Sequence, residues 1–337
     1  MTSRIHLQRE YFHENKRVFF QNEEFTVTLF KYSSGIEGAE IKNSRGRMVV
    51  LPYYGQMVWD LEFDGVDLKM KNMFKEPKKA DDIIGTYGCF AFHSGLVRNG
   101  CPSPEDDHPL HGEMPCAQMD RTWLEVTDRS VKVCGSFEYV KGFGHHYNAK
   151  PTAAMFDSET YIELNMEVVN MASTQMPLQY MCHTNYAYLE NAAFKQSIPE
   201  GAFVLRESIP EHVKPTDKWL VFNEALKTGG TMLEKLDQPE MYDPEIVFFA
   251  DKLDKYGDEA EFEMITPDGT VFFTKFATAE FNYATRWILH NPDQQVGAFV
   301  LPATCRPEGF VAAEKSGTLI MLGAGEKKSF TVITGKK

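Results

Sequence analysis

The stretch "TYIELNMEVVN", residues 160–170, decides the fold. In an extended chain Ile162, Leu164, Met166 and Val168 face one way, and Glu163, Asn165, Glu167 and Val169 face the other. Four apolar residues at a period of two predict a strand with one face on a core. Outward from it the signature recurs. "GRMVVLPYYGQMVWDLEFDG" (46–65) reads as two strands broken at Gly55 and closed by an Asp64-Gly65 turn. "TWLEVTDRSVKVCGSFEYV" (122–140) alternates on both sides of Asp128-Arg129, and "AEFEMITPDGTVFFTKF" (260–276) turns at "PDG". "GTLIMLGAGEKKSFTVITG" (317–335) adds two more strands. The only helical signal is one or two turns in "PTDKWLVFNEAL" (215–226), and 71–120 reads as a long loop. Strands run nearly end to end, so the expectation is an all-β, mostly antiparallel sandwich in one domain over 1–337. The first 40 or so residues are left open as an extension packed on it.

Composition agrees. Aromatics reach 13%, with 25 Phe and 14 Tyr, and such side chains favour strands. A net charge of −13 repels phosphate backbones, so nucleic acid is not an expected partner. No apolar run approaches the roughly 18 residues of a membrane span, and "MTSRIHLQREYFHENKR" lacks a signal-peptide core. Membrane is therefore not expected, and the cytoplasm is the default location. The six cysteines form no C-x-x-C pair and are expected to be reduced. P-loop, dinucleotide, G-x-S-x-G and H-E-x-x-H patterns are all missing from the sequence.

Three regions carry candidate chemistry. The first, "CFAFHSGLVRNGCPSPEDDHPLHGEMP" (89–115), offers His93, Arg98, Asp106, Asp107, His108, His111 and Glu113. If "LHGEM" is a strand, His111 and Glu113 share a face, which suits a metal or sugar hydroxyls; a polar loop bonding its own backbone is the plain alternative. The second is His183 in "MPLQYMCHTNYAYLE" (176–190), readable as a functional imidazole or a satisfied core residue. The third, "LPATCRPEGFVAAEKSG" (301–317), places Glu308 in a turn. It also places Glu314 after an apolar approach expected to be a strand end, where partial desolvation would suit a base. A solvated Glu314 beside Lys315 is equally open. His145 and His146 in "GFGHHYN" face opposite ways as strand neighbours and read as surface.

In order, these pieces resemble the galactose mutarotase (aldose 1-epimerase) superfamily from about residue 40 to the end. "GRMVVLPYYGQMVWDLEFDG" is similar to its opening hairpin and "PLHGEMPCAQMDRTW" to its Leu-His-Gly segment. "IELNMEVVNMASTQMPLQYMCHTNYAYL" is similar to its long strand with the His-Asn-Tyr segment, and "GFVAAEKSGTLIMLGAGEKKSFTV" to its terminal unit. "HPLHGEMP" with "LPATCRPEGFVAAEKSG" resembles the DUF4432-type branch. The resemblance implies a large two-sheet β-supersandwich with a sugar in a cleft on one concave sheet. It implies anomer (or epimer) interconversion by acid/base catalysis, with Glu314 as base and His183 as acid. His111, Asp243, Arg98, His93, Glu113 and Glu308 would hold the substrate, and Glu308 is a second contender for the base. Three departures fall where sugar contacts are expected: Glu113 stands where the family often has Gly, Ser316 stands where Gln is usual, and the Asn-Arg pair is represented only by "GLVRNG". The expected partner is a small-molecule carbohydrate, with no cofactor and no resident metal, and a homodimer is left open. Two other functions stand beside this one. One is a metal-dependent sugar isomerase using His111, Glu113 and His183, with His108 as a fourth ligand. The other is a non-catalytic carbohydrate-binding module.

Overall fold

The computed structural model describes residues 2–210, 213–229 and 233–337. The strand expected from 160–170 spans Tyr161–Asn170, and Ile162, Leu164, Met166 and Val168 are all buried in the main core. Each such side chain contributes about 2 kcal/mol on leaving water. That strand sits at the middle of a nine-stranded sheet. On one side of it come His146–Phe156, Ser130–Val140, Arg121–Val126 and Ser3–Leu7. On the other come Lys327–Lys336, Val271–Ala277, Glu259–Ile265 and Ala193–Gln196.

A thirteen-stranded sheet faces it, with Met176–Thr184 near its centre. One arm runs through Gln295–Ala303, Tyr283–His290 and Ile246–Asp251 to the edge strand Phe203–Leu205. The other arm runs through Ala91–Leu96, Val58–Phe63, Gly46–Val50, Glu37–Lys42 and Thr26–Lys31 to Arg17–Gln21. The first forty residues thus supply strands to both sheets. The registered strand pairs are antiparallel, as the alternation predicts.

Alternation along the large sheet separates two apolar layers. Tyr180 and Cys182 point between the sheets, where Tyr180 packs on Phe281 and Phe330. Met181, one residue out of phase, joins Val247, Phe249, Trp287, Leu289 and Leu301 on the opposite face. His183 shares that outer face, because its strand partner is Phe92 and the partner of Cys182 is His93.

Three local expectations are corrected, and the "LHGEM" alternative resolves to the loop. The 215–226 helix is longer, α1 at Asp217–Gly229, anchored by buried Trp219 and Leu226. The 71–120 loop contains the strand Ala91–Leu96 and a short 3₁₀ turn at Ile83–Thr86. "LHGEM" is a turn and not a strand: His111 has φ +64° and Gly112 φ +77°. A Cβ at position 112 would stand 1.9 Å from the Arg98 carbonyl oxygen, so only glycine fits. "FVAAEK" is the helix α2, Phe310–Lys315, because the Asp106 carboxylate, from a loop two hundred residues earlier, accepts the Val311 amide at 2.9 Å. All six cysteines are free thiols. No helix among the described residues is long and apolar enough to cross a membrane.

Candidate functional site

The outer face of the large sheet forms the floor of a cavity of about 420 Å³. His183 enters it from the end of the strand Met176–Thr184, and His111 enters from the turn. The turn is fixed by its backbone: the His111 amide donates to the Gly100 carbonyl at 2.9 Å, and the Gly95 amide donates to the His111 carbonyl at 3.0 Å. The two imidazoles meet edge to face with centroids 4.8 Å apart.

His183 is enclosed by rings. Phe92 stacks on it at 4.4 Å, Trp287 meets its edge at 5.5 Å, and the Tyr87 hydroxyl lies 3.1 Å from Nε2. This burial pushes the imidazole down to about 3, because an imidazolium would lose its water there. His183 is therefore a neutral imidazole at neutral pH. The Asn185 amide nitrogen donates to the Cys89 carbonyl at 2.9 Å. The same burial raises the Tyr87 phenol well above its ordinary range.

Two carboxyl groups join them in the lining. Asp243 and Glu245 both line the cavity where the chain enters the strand Ile246–Asp251. Glu245 is buried and fully engaged. Its Oε1 accepts from Arg206 at 2.7 Å, its Oε2 accepts from the Trp287 indole at 2.7 Å, and its carbonyl accepts from the Trp219 indole at 2.6 Å. Asp243 is half-buried, and its backbone carbonyl accepts from the Thr216 hydroxyl at 3.3 Å.

The remaining candidates lie elsewhere. Glu314 is exposed on α2, not at a strand end, and does not line the cavity. Glu308 is half-buried beside the cavity-lining Pro307 and accepts from the Ser208 hydroxyl at 3.1 Å, outside the lining. His93 is a core residue: its Nδ1 is 2.7 Å from the Tyr180 hydroxyl between the sheets, and burial lowers it to about 4. Arg98 lies over the Phe310 ring at 3.8 Å and donates to Asp107. His108 sits 3.6 Å from Asp106 in the loop that caps α2.

Glu113 turns away from both histidines. Its carboxylate accepts the amides of Leu96 at 3.0 Å, Val97 at 2.7 Å and Arg98 at 3.3 Å, and the Tyr147 hydroxyl at 2.9 Å. It is the brace for the backbone beside the His111 turn. The donor set imagined for a metal is thereby divided, and no three His, Cys, Asp or Glu side chains among the described residues are grouped to hold an ion. Replacing Glu113 by Ala leaves those groups without their charged acceptor and is expected to cost about 3 kcal/mol. Urea unfolding of the Glu113→Ala variant checks this; a loss under 1 kcal/mol would contradict the bracing role.

Tyr87, Arg206, Glu245 and Trp287 escaped the sequence reading. Only Glu245 carried a signal, as an acid directly ahead of the apolar run "IVFF" in "MYDPEIVFF".

Residues 33–334 match the model of the family described as a domain of unknown function, DUF4432. The chain belongs to the DUF4432 family. Solved structures share its fold. A protein of Klebsiella pneumoniae proposed as an aldose 1-epimerase superposes with a TM-score of 0.82 at 14% identity, covering 100% of this chain and 91% of that one. A galactose mutarotase-like protein of Clostridium acetobutylicum gives 0.61 at 15% identity, covering 94% and 99%. A further protein proposed as an aldose 1-epimerase, from Escherichia coli K12, gives 0.57 at 13% identity, covering 87% and 96%. No curated protein matches the sequence. The DUF4432 chain therefore has the galactose mutarotase-like sandwich, which it shares with these three proteins at 13–15% identity.

Proposed function

We propose that the protein is a carbohydrate isomerase that interconverts the anomers of a free sugar by acid/base catalysis. The observation that supports this best is one cavity lined by two imidazoles 4.8 Å apart and by the carboxyl groups of Asp243 and Glu245. Opening a sugar ring needs a base to take the anomeric hydroxyl proton and an acid to give one to the ring oxygen. An imidazole and a carboxylate can exchange those roles for the return step. His183 is the acid. Glu314 lies outside the cavity, and Glu245 is committed to Arg206 and Trp287, so Asp243 is the base. His111 positions the sugar, the Tyr87 hydroxyl holds Nε2 of His183, and Trp287 offers a ring face.

The test is saturation-transfer NMR of anomer exchange over a panel of free aldoses, with uncatalysed exchange subtracted. As an acid His183 needs one proton beyond its resting state, because burial keeps it neutral. Because kcat/KM reports the free enzyme, it should rise up to tenfold per unit as pH falls from 8 to 6.5. A pH-independent kcat/KM would remove His183 as the acid. Binding without exchange across the panel would favour a binding module instead.

A further inference from the structure

We propose that the cavity selects an uncharged sugar with an apolar face, a deoxy sugar in preference to its hydroxylated, phosphorylated or carboxylated relatives. This rests on the carbohydrate reading above and narrows it to a substrate class.

Charge is the first argument. Arg206 is the one Lys or Arg among the described residues lining the cavity, and it is bonded to Glu245 at 2.7 Å. Asp243 adds a second carboxylate, and burial keeps His183 neutral. The wall therefore has two carboxyl groups to one guanidinium, and that guanidinium is already paired. A phosphate or carboxylate on the ligand would shed its water and gain no counter-charge.

The supply of hydrogen bonds is the second argument. Several polar groups on the wall are already occupied within the protein. The Asn72 amide nitrogen donates to the carbonyls of Met70 and Gly88, and its oxygen accepts the Phe74 amide. The Asn291 side-chain oxygen accepts the amides of Asp293 and Gln294. The Trp287 indole is on Glu245, and the Tyr87 hydroxyl is on His183.

Shape is the third. Met181, Val247, Phe249, Trp287, Leu289 and Leu301 make a continuous apolar floor. Met73, Phe74, Ile84 and Leu110 line the same cavity from the loops. A ligand hydroxyl placed on this floor would be buried unpaired, whereas a methyl or methylene would be at home. One such difference in an apolar pocket is worth roughly 10–200-fold in discrimination.

Calorimetry and saturation-transfer difference NMR on the whole protein test the idea with matched pairs. These are D-fucose against D-galactose, L-rhamnose against L-mannose, and 2-deoxy-D-glucose against D-glucose. D-galactose 6-phosphate and D-galacturonate probe charge. At least one deoxy member should bind tenfold or more tightly than its parent, both charged sugars should bind more weakly than D-galactose, and Leu301→Ser should reduce the preference. A preference under tenfold in every pair, or tighter binding of either charged sugar, overturns the proposal while leaving a sugar site standing. If no sugar of any kind binds, the carbohydrate reading falls and takes this proposal with it.

Discussion

Lowering the pH from 6.5 to 4.5 should destabilise the protein by about 5 kcal/mol before most carboxylates titrate. Two buried histidines cause it. Burial holds His93 at about 4 and His183 at about 3, against the ordinary 6.5 that each regains on unfolding. Above pH 6.5 both states carry neutral imidazoles, and their contribution to stability is complete. Below it only the unfolded chain takes up the protons, so folding loses free energy with every step down, at about 1.4 kcal/mol per unit for each group. The loss continues until the pH passes the folded values. A domain's whole stability is about 5–15 kcal/mol, so this should bring the protein close to unfolding. The carboxylates that ion pairs and hydrogen bonds hold low, such as Glu40 and Glu167, add their own losses only near and below their ordinary 4.5. Urea unfolding at half-unit steps of pH measures the slope. In His93→Gln, which keeps a partner for the Tyr180 hydroxyl, the slope should fall by about half. A flat stability between pH 6.5 and 4.5 in the unaltered protein would mean that neither histidine is buried neutral.

Why the strands were readable and the site only partly so comes down to range. Tyr161–Asn170 could be read because its alternation is local, and a one-residue slip would turn Ile162, Leu164, Met166 and Val168 into solvent. "GTLIMLGAGEKKSFTVITG" shows the limit. Its two strands look like one hairpin, yet Ile320–Leu322 pairs with Met176–Thr184 while Lys327–Lys336 joins the other sheet. A turn signal says that the chain reverses, not which layer it re-enters. The apolar run of "FVAAEK" suits a strand or a helix equally by pattern; Asp106 supplies the cap, and nothing near residue 310 announces it. "LHGEM" leaves strand and loop open for the related reason that His111 adopts a left-handed conformation that sequence spacing does not encode. His111 and His183 could be picked out as imidazoles beside apolar segments, whereas Asp243 enters only through the resemblance. Tyr87, Arg206 and Trp287 become site residues only because three separate segments close over the same face.

Asp243→Asn and His183→Gln are each expected to lower kcat/KM for anomer exchange by about 10²–10⁴-fold, the usual share of one proton-transfer group. Glu314→Gln should leave it within about twofold. The family resemblance makes Glu314 the base, so this comparison separates resemblance from geometry. Glu314 is exposed on α2, next to Lys315, which is itself paired with Glu105 at 2.8 Å, and no part of it lines the cavity. Asp243 is half-buried in the cavity lining, and among the described residues its carboxylate has no partners like those that hold Glu245. The Asn substitution keeps its size and removes its ability to take a proton. For His183, Gln is preferred to Ala because the imidazole is packed between Phe92 and Trp287, and truncation would leave a cavity. Unfolding curves for all three variants tell a lost proton carrier from a lost fold. If Glu314→Gln abolishes exchange while Asp243→Asn retains it, the base reaches the sugar by a rearrangement of α2, and the assignment of Asp243 is wrong. If both retain it, proton removal does not depend on either carboxylate, and His183 with the Tyr87 hydroxyl on its Nε2 becomes the group to test next.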